Sequence, residues 1–392
     1  GRRGEGEGRG GGAERGGVRC ARGGTRERSR GKGTQRGVAA NDLPRSEFTG
    51  YVGLVTGSAV SGLRKDGIAA EVATEGDDVE VFLDRTPFYA ESGGQVGDIG
   101  TITTPSGQVR VDDTQKPADG VIAHTGMVIS GEIKVGDRAT AAVDAGLRHQ
   151  IARHHSATHL LHKALRETIG EQVVQKGSWV GPDHATFDIP LNRAITKDEL
   201  ARINRLVMEK VREALPFKEQ QLLYKEAVAH GAMHLFEEKY GDVVRVVCFG
   251  DWTCELCGGT HVKNSADIGT AVIVSETSIG SGLRRIDMVV GEAADELVKR
   301  NRDLLTEVAR LFNATPEQLP ERIKAMRAQL KEIEKERDRL REEVRTASVG
   351  VGGGNGARGA VKHGRIDYVA RNGDCSKLEV WEALCARFAG LL

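Results

Sequence analysis

Asp144 to Gly170 reads DAGLRHQIARHHSATHLLHKALRETIG, and the fold turns on how this stretch is read. Leu147, Ile151, Ala157, Leu161 and Leu165 recur at or near three-to-four spacing, which predicts one helix over 144–169 with Gly170 as its stop. His155 and His159 then lie at i and i+4 and project side by side from one face. Further along, Cys257-Gly258-Gly259-Thr260-His261 repeats that separation, and its paired glycines permit a tight turn that aims both side chains inward. The two halves supply three imidazoles and a thiolate, a donor set that Zn2+ takes in tetrahedral geometry.

Histidines so spaced are common on helices that bind nothing, so the weight falls on the second half. Cys254 is a rival donor through Cys254-Glu255-Leu256-Cys257. Cys257 ranks above it because Gly258 and Gly259 join it directly to His261, and Cys254 reads as a small half-buried residue. Ser156, Ala157 and Thr158 stand between the histidines, which excludes the HExxH peptidase pattern with its glutamate base. Four protein donors also close a tetrahedral shell, whereas a catalytic zinc keeps one position open, so spacing alone leans towards a structural or positioning metal.

Working outward, short β-type runs at 51–55, 68–72, 79–83, 99–103, 108–111, 121–125 and 138–143 alternate with Gly, Pro and Asp breaks. They predict a small antiparallel barrel or sandwich. Inside it, Glu91-Ser92-Gly93-Gly94-Gln95 reads on its own as a turn that lets backbone amides approach a ligand. Downstream come strands at 173–175, 185–189, 243–249, 271–277 and 283–290, a helix at 197–215 behind Thr196, and a shorter helix at 230–239. Helices follow at 292–312 and 321–347, the second with Ile323, Met326, Leu330, Ile333, Leu340 and Val344 along a coiled-coil or hairpin seam. The expected fold is α+β: a small antiparallel β-barrel at 46–143, a zinc-containing α+β domain at 144–291 and a helical hairpin or coiled coil at 292–347. Residues 1–45 form a Gly/Arg-rich extension too poor in apolar side chains to fold, and 348–392 a linker and short tail.

Composition narrows the class rather than the function. The 392 residues carry no net charge, so affinity for an anionic partner has to come from local patches. Six cysteines are too sparse for a disulfide scaffold and suit metal binding in a reducing, cytoplasmic setting. No apolar run reaches the roughly 18 residues of a membrane span. The chain begins at Gly1 rather than Met, which suggests a fragment.

HSATH (155–159), QKGS (175–178), CGGTH (257–261), FYAESGGQVGD (88–98) and GLRRID (282–287) occur in the order in which they resemble the editing region of alanyl-tRNA synthetases over about 46–347. The same region is shared with freestanding AlaX-type editing proteins and, more distantly, with threonyl-tRNA synthetase. The resemblance implies Zn2+ on His155, His159, Cys257 and His261, and a functional glutamine at Gln175. It implies an amino-acid pocket lined by Ser92, Gly93, Gly94 and Gln95, with Arg284 and Arg285 towards the tRNA end. The implied reaction is hydrolysis of serine or glycine from mischarged alanine tRNA. No membrane partner and no ATP binding are expected, and any dimer would form through the helical segment. The alternatives are a piece of a complete synthetase and a zinc-stabilised tRNA-binding module without catalysis.

Overall fold

The computed structural model describes residues 43–229, 233, 241–349, 362–363 and 366–367. The extension at 1–42, the helix expected at 230–239 and most of the tail lie outside the described residues. The chain divides into two compact units, Gly1–Val298 and Lys299–Leu392.

The first unit opens with β1 (Glu47–Phe48), β2 (Val55–Lys65), β3 (Ile68–Ala70), β4 (Val72–Thr74), β5 (Asp78–Leu83) and β6 (Arg85–Thr86). It continues with β7 (Gly100–Thr103), β8 (Gly107–Ala118), β9 (Val121–Lys134) and β10 (Arg138–Val143). Strands β10, β7, β8, β9, β5 and β2 pair in that order, and β2 returns to β10 from Ala59↔Arg138 to Val55↔Ala142, which closes a six-stranded antiparallel barrel. Period-two alternation fills it: Val79 and Val81 of β5, Ile102 of β7, Val109 and Val111 of β8 and Ala139 and Ala141 of β10 all point into one core. Closure removes the edges that an open sandwich would leave unpaired. The barrel is therefore the outcome of the two architectures the strand spacing allowed. Residues 51–54 precede β2 instead of forming a strand.

Next comes α1 (Ala145–Ile169), capped by the Asp144 side chain, which accepts from the Leu147 amide. From His154 to His162 every residue of α1 is buried, so the histidines sit inside the protein rather than on a wet face. One side of α1 packs on α2 (Lys197–Arg212), where Thr196 and Glu199 form a capping box. A four-stranded sheet lies against them, in the order β11 (Gly177–Val180), β12 (Ala185–Pro190), β17 (Leu283–Val290) and β16 (Ala271–Gly280). Beside it β13 (Phe217–Leu223), β14 (Val243–Phe249) and β15 (Thr253–Leu256) make a second small sheet, with the short α3 (Tyr224–Ala229) on its core.

Three expectations change here. The strand expected at 173–175 is an irregular connection, with the strand beginning at Gly177. The α2 helix ends at Arg212 instead of near 215, because Ala214 takes φ 53°, outside the right-handed helical region. Strand β13 went unread because its polar run Lys218-Glu219-Gln220-Gln221 has little strand propensity; pairing with β14 imposes the conformation.

Helix α4 (Glu292–Leu311) follows β17, and in the second unit α5 (Leu319–Val349) comes after a turn at Asn313. Leu330 and Ile333 of α5 are more than half exposed. The expected seam is thus present as a pattern along α5, with these two positions exposed.

Candidate metal centre and the residues around it

The structure brings the two halves of the motif together. The donor atoms of His155, His159, Cys257 and His261 lie within 4.8 Å of one another. His155 Nε2 and His261 Nε2 approach Cys257 Sγ at 3.3 Å and 3.4 Å. Tetrahedral zinc, with bonds of about 2.3 Å to sulfur and 2.0–2.1 Å to nitrogen, separates such donors by about 3.6 Å. His159 Nε2 is a buried nitrogen without a hydrogen-bond partner, an orphan whose cost a metal would remove. The donor set fits Zn2+.

Each imidazole is held from behind by its other nitrogen. His155 Nδ1 donates to Gln95 Oε1 at 2.7 Å, His159 Nδ1 to Glu255 Oε2 at 2.6 Å, and His261 Nδ1 lies 3.3 Å from Ser156 Oγ. That pattern fixes the tautomer that leaves Nε2 as the free donor on each ring. Gln95 is itself fixed, since its Oε1 accepts from the Thr260 amide at 2.9 Å and its Nε2 donates to Thr260 Oγ1 at 3.0 Å. A barrel loop thus grips both the α1 histidine and the CGGTH turn. Gly259 has to be glycine because a Cβ there would run into the His155 ring.

The electrostatics suit a dication. Burial raises the Cys257 thiol, but His155, His261 and His159 outweigh it and hold Cys257 well below its ordinary value, as a thiolate. Burial opposes ionising Glu255, yet His159 and His162 bring its carboxyl down to about 2. Burial likewise lowers His159, but the Glu255 and Cys257 charges push it up to about 10, whereas His261 is driven by burial down to about 3. The two negative groups that charge His159 are the ones a bound Zn2+ would neutralise.

The remaining sequence candidates separate. Gly94 takes φ 86°, and a Cβ on it would lie 2.5 Å from the Ser178 carbonyl oxygen, so the Ser92–Gln95 turn abuts the QKGS segment through a glycine. Gln175 is half-buried and its Nε2 donates to Ser178 Oγ at 2.8 Å. It reaches the cluster by way of Ser178 and the glycine turn; among the described residues no hydrogen bond joins it to a donor of the cluster. Arg284 and Arg285 are successive residues of β17, an inner strand, and point to opposite faces. Both Arg284 Nε and Arg284 Nη2 bond to Glu276, and Arg285 makes a two-pronged pair with Asp188 at 2.7 Å. They form intrasheet salt bridges and not one basic patch. Arg285 keeps 40% of its side chain exposed against 16% for Arg284.

Cys248 and Cys254 face each other across the β14–β15 hairpin and are joined as a disulfide. The expectation that the whole cysteine cluster is reduced is corrected, and Cys254 is removed as a rival ligand. Cys257 is the free cysteine among the described residues. Glu255 and Ser156, which contact the cluster's imidazoles from behind, are the residues of the candidate site that sequence reasoning missed. The only signal for Glu255 was its place two residues before Cys257, which points at no partner.

Sequence comparison places the barrel and the segment that carries Cys257 and His261 among class II tRNA synthetase sequences. Residues 244–287 match the model of the threonyl and alanyl tRNA synthetase second additional domain, and residues 16–147 that of class II (A) tRNA synthetases. The second match covers the barrel and starts within the stretch expected to be an unfolded extension. The chain belongs to the alanyl-tRNA synthetase family. It is 42% identical over 315 residues to an alanine–tRNA ligase of Chloroflexus aurantiacus, which aligns 77% of this chain with 35% of that protein. An alanine–tRNA ligase of Halorhodospira halophila is 44% identical over 305 residues, 78% of this chain and 35% of that protein. The chain thus spans about a third of the length of the curated relatives it matches. Among the described residues no helix is long and apolar enough to cross a membrane.

Proposed function

We propose that this chain hydrolyses the ester joining serine or glycine to the 3′ end of alanine tRNA, with Zn2+ held by His155, His159, Cys257 and His261. The observation that carries the reading is the convergence of those four donors with Gln95, from the barrel's glycine turn, bonded behind one of them. Family membership supports the RNA partner. The need is physical. A pocket for alanine rejects smaller glycine poorly, and it rejects an added hydroxyl poorly as well. Because serine is larger than alanine, the second site has to recognise the hydroxyl itself and leave polar groups unpaired when alanine enters.

Zn2+, when bound, supplies positive charge for orienting and polarising the ester. The protein groups do the rest. The Gly93 and Gly94 amides make no hydrogen bond among the described residues and are donors for the oxyanion that forms as water attacks the carbonyl. The Gly259 amide is already taken by Cys257 Sγ at 3.3 Å, so the CGGTH turn is the weaker choice for that task. Gln175 spends its amide nitrogen on Ser178, which leaves its oxygen as an acceptor for the seryl hydroxyl or the ammonium group. Of the two arginines, Arg285 retains the exposed face suited to a phosphate.

Four protein donors favour a metal that positions substrate over one that activates water, and the same closed shell supports the rival of a tRNA-binding module without turnover. Deacylation of seryl-tRNA and alanyl-tRNA with and without chelator separates the two. Seryl-tRNA should turn over faster than alanyl-tRNA and only with metal; seryl-tRNA hydrolysis undiminished after zinc is stripped would reject the reading. We propose no ATP-binding role for the barrel or the metal domain, a cytoplasmic setting, and the exposed α5 stripe as the contact in a dimer, which sedimentation of the whole chain tests.

A further inference from the structure

Resting on that reading of the site, we infer that the cavity flanking His261 seats the terminal nucleotide of the RNA, with Lys263 and His149 at its phosphate. The cavity, of about 220 Å3, lies between residues 50–54, the start of α1 and the Phe217 end of β13. Thr260 and His261 form part of its wall, so whatever occupies it lies directly beside the four-donor cluster.

Two features select a nucleotide. The wall is aromatic on one side: the Phe217 ring stands 5.5 Å from the His261 ring, and Tyr51 lines the cavity with it. No acidic residue lines the cavity, whereas Lys263 and His149 do so as exposed side chains that form no ion pair among the described residues. Lys263 Nζ lies over the Phe217 ring, 5.1 Å from its centroid, so a base that takes its place on that face leaves the lysine beside it, within reach of the phosphate.

Arg245 lines the same cavity but is committed elsewhere. Its guanidinium pairs with Glu219, donates to the Cys257 and Gly259 carbonyls at 2.9 Å each and covers the Tyr51 ring at 4.0 Å. Arg245 therefore holds the CGGTH turn, and Lys263 is the cation left for a ligand. Stacking on an aromatic face with a cation at the phosphate is how proteins hold single-stranded RNA ends.

The test measures binding of an unacylated RNA oligonucleotide ending in CCA to the zinc-loaded full chain, by fluorescence anisotropy over a salt series. Lys263→Gln is expected to weaken binding about ten-fold at low salt and to lower the log–log salt slope by about 0.7, the value for one phosphate contact on a single strand. Lys263→Arg should restore both. Lys116→Gln, which loses an exposed pair with Asp119 on the barrel, serves as the remote control. Wild-type affinity and slope in Lys263→Gln would overturn the assignment. Lys263-dependent binding in a chain that fails to deacylate seryl-tRNA would sink the hydrolase reading and leave this cavity standing as an RNA site.

Discussion

Glu255 accepts a 2.6 Å hydrogen bond from His159 Nδ1 with its Oε2 and a 3.0 Å bond from His162 Nδ1 with its Oε1, from a side chain almost wholly buried. One carboxylate on β15 therefore orients a candidate metal donor on α1 and ties the small sheet to the helix. Replacing Glu255 with Gln keeps the shape and removes the charge. Zinc affinity, measured by competition with a chromophoric chelator, should fall roughly 10- to 100-fold, as for other outer-shell partners of metal-bound histidines. Unchanged affinity would mean that Glu255 only packs.

Gln95 makes the equivalent test from the barrel side. Gln95→Ala removes the acceptor behind His155 and every side-chain bond to Thr260, so zinc affinity and seryl-tRNA hydrolysis should fall together. Gln95→Glu retains an acceptor for His155 and the Thr260 amide and should recover much of the metal affinity. If Gln95→Ala lowers hydrolysis while leaving zinc binding intact, its role is at the substrate and not behind the metal.

Gly94→Ala probes the seam between the glycine turn and Gln175. The new methyl meets the Ser178 backbone and a backbone φ of 86° at once, so neither partner can yield cheaply. Deacylation should drop by an order of magnitude or more, roughly the effect of misplacing a catalytic group by 1 Å, with zinc stoichiometry retained. Wild-type turnover would show that the turn lies outside the reacting geometry.

The four-residue cluster was legible because few residue types suit a metal and the helix dictates their spacing: His155 and His159 announce each other, as do Cys257 and His261. Their outer shell was not, since Gln95 to His155 and Glu255 to His159 are contacts across 60 and 96 residues that no local period records. The barrel was legible as alternation but not in its lengths. Strands β8 and β9 run 12 and 14 residues, through places that read as breaks, because register shifts at Val111/Asp113 and Gln115/Ala118 absorb the irregular residues. The partners of Arg284 and Arg285 were not legible either: a strand sends the two side chains to opposite faces, and Glu276 and Asp188 lie 8 and 97 residues away.

His124 makes part of the stability sensitive to acid. It is fully buried in the barrel between Val81 O and Thr86 Oγ1, and burial holds it down at about 4. An unfolded chain protonates the same imidazole near 6.5, so between those values the unfolded state binds the extra proton and stability falls as pH drops. The loss from this group amounts to roughly 3 kcal/mol when pH 4 is reached and grows little below it. Urea titrations between pH 7 and 4, with chelator throughout so that metal release does not contribute, should show the decline. His124→Gln should make it shallower, the rest coming from His154 and His261, which burial also holds low, and an equal slope in both proteins would remove His124 as a source.

Arg148 and Asp98 lock the barrel to the helix that bears the metal donors. The guanidinium bonds the carboxylate through two of its nitrogens, one of them Nε at 2.9 Å and 3.0 Å, while Nη1 donates to Gly50 O at 3.0 Å and Nη2 to Pro87 O at 2.8 Å. Asp98 in turn accepts from the Tyr89 amide at 2.6 Å, and both partners are nearly inaccessible. Asp98→Ala strands a buried charge that still has two carbonyls to satisfy, and the expected cost is about 3–5 kcal/mol. Arg148→Met removes the charge but orphans both carbonyls and the carboxylate, so it should cost no less. Exchanging the pair for Leu and Met together should be milder than either single change, because only the backbone groups are then left unpaired. If thermal melts rank the double variant below both singles, the pair stabilises the junction by more than avoiding a lone buried charge. Zinc affinity then decides whether the cost is local: His155 is gripped by Gln95 from the same barrel, so loosening Arg148 should also release the metal more readily.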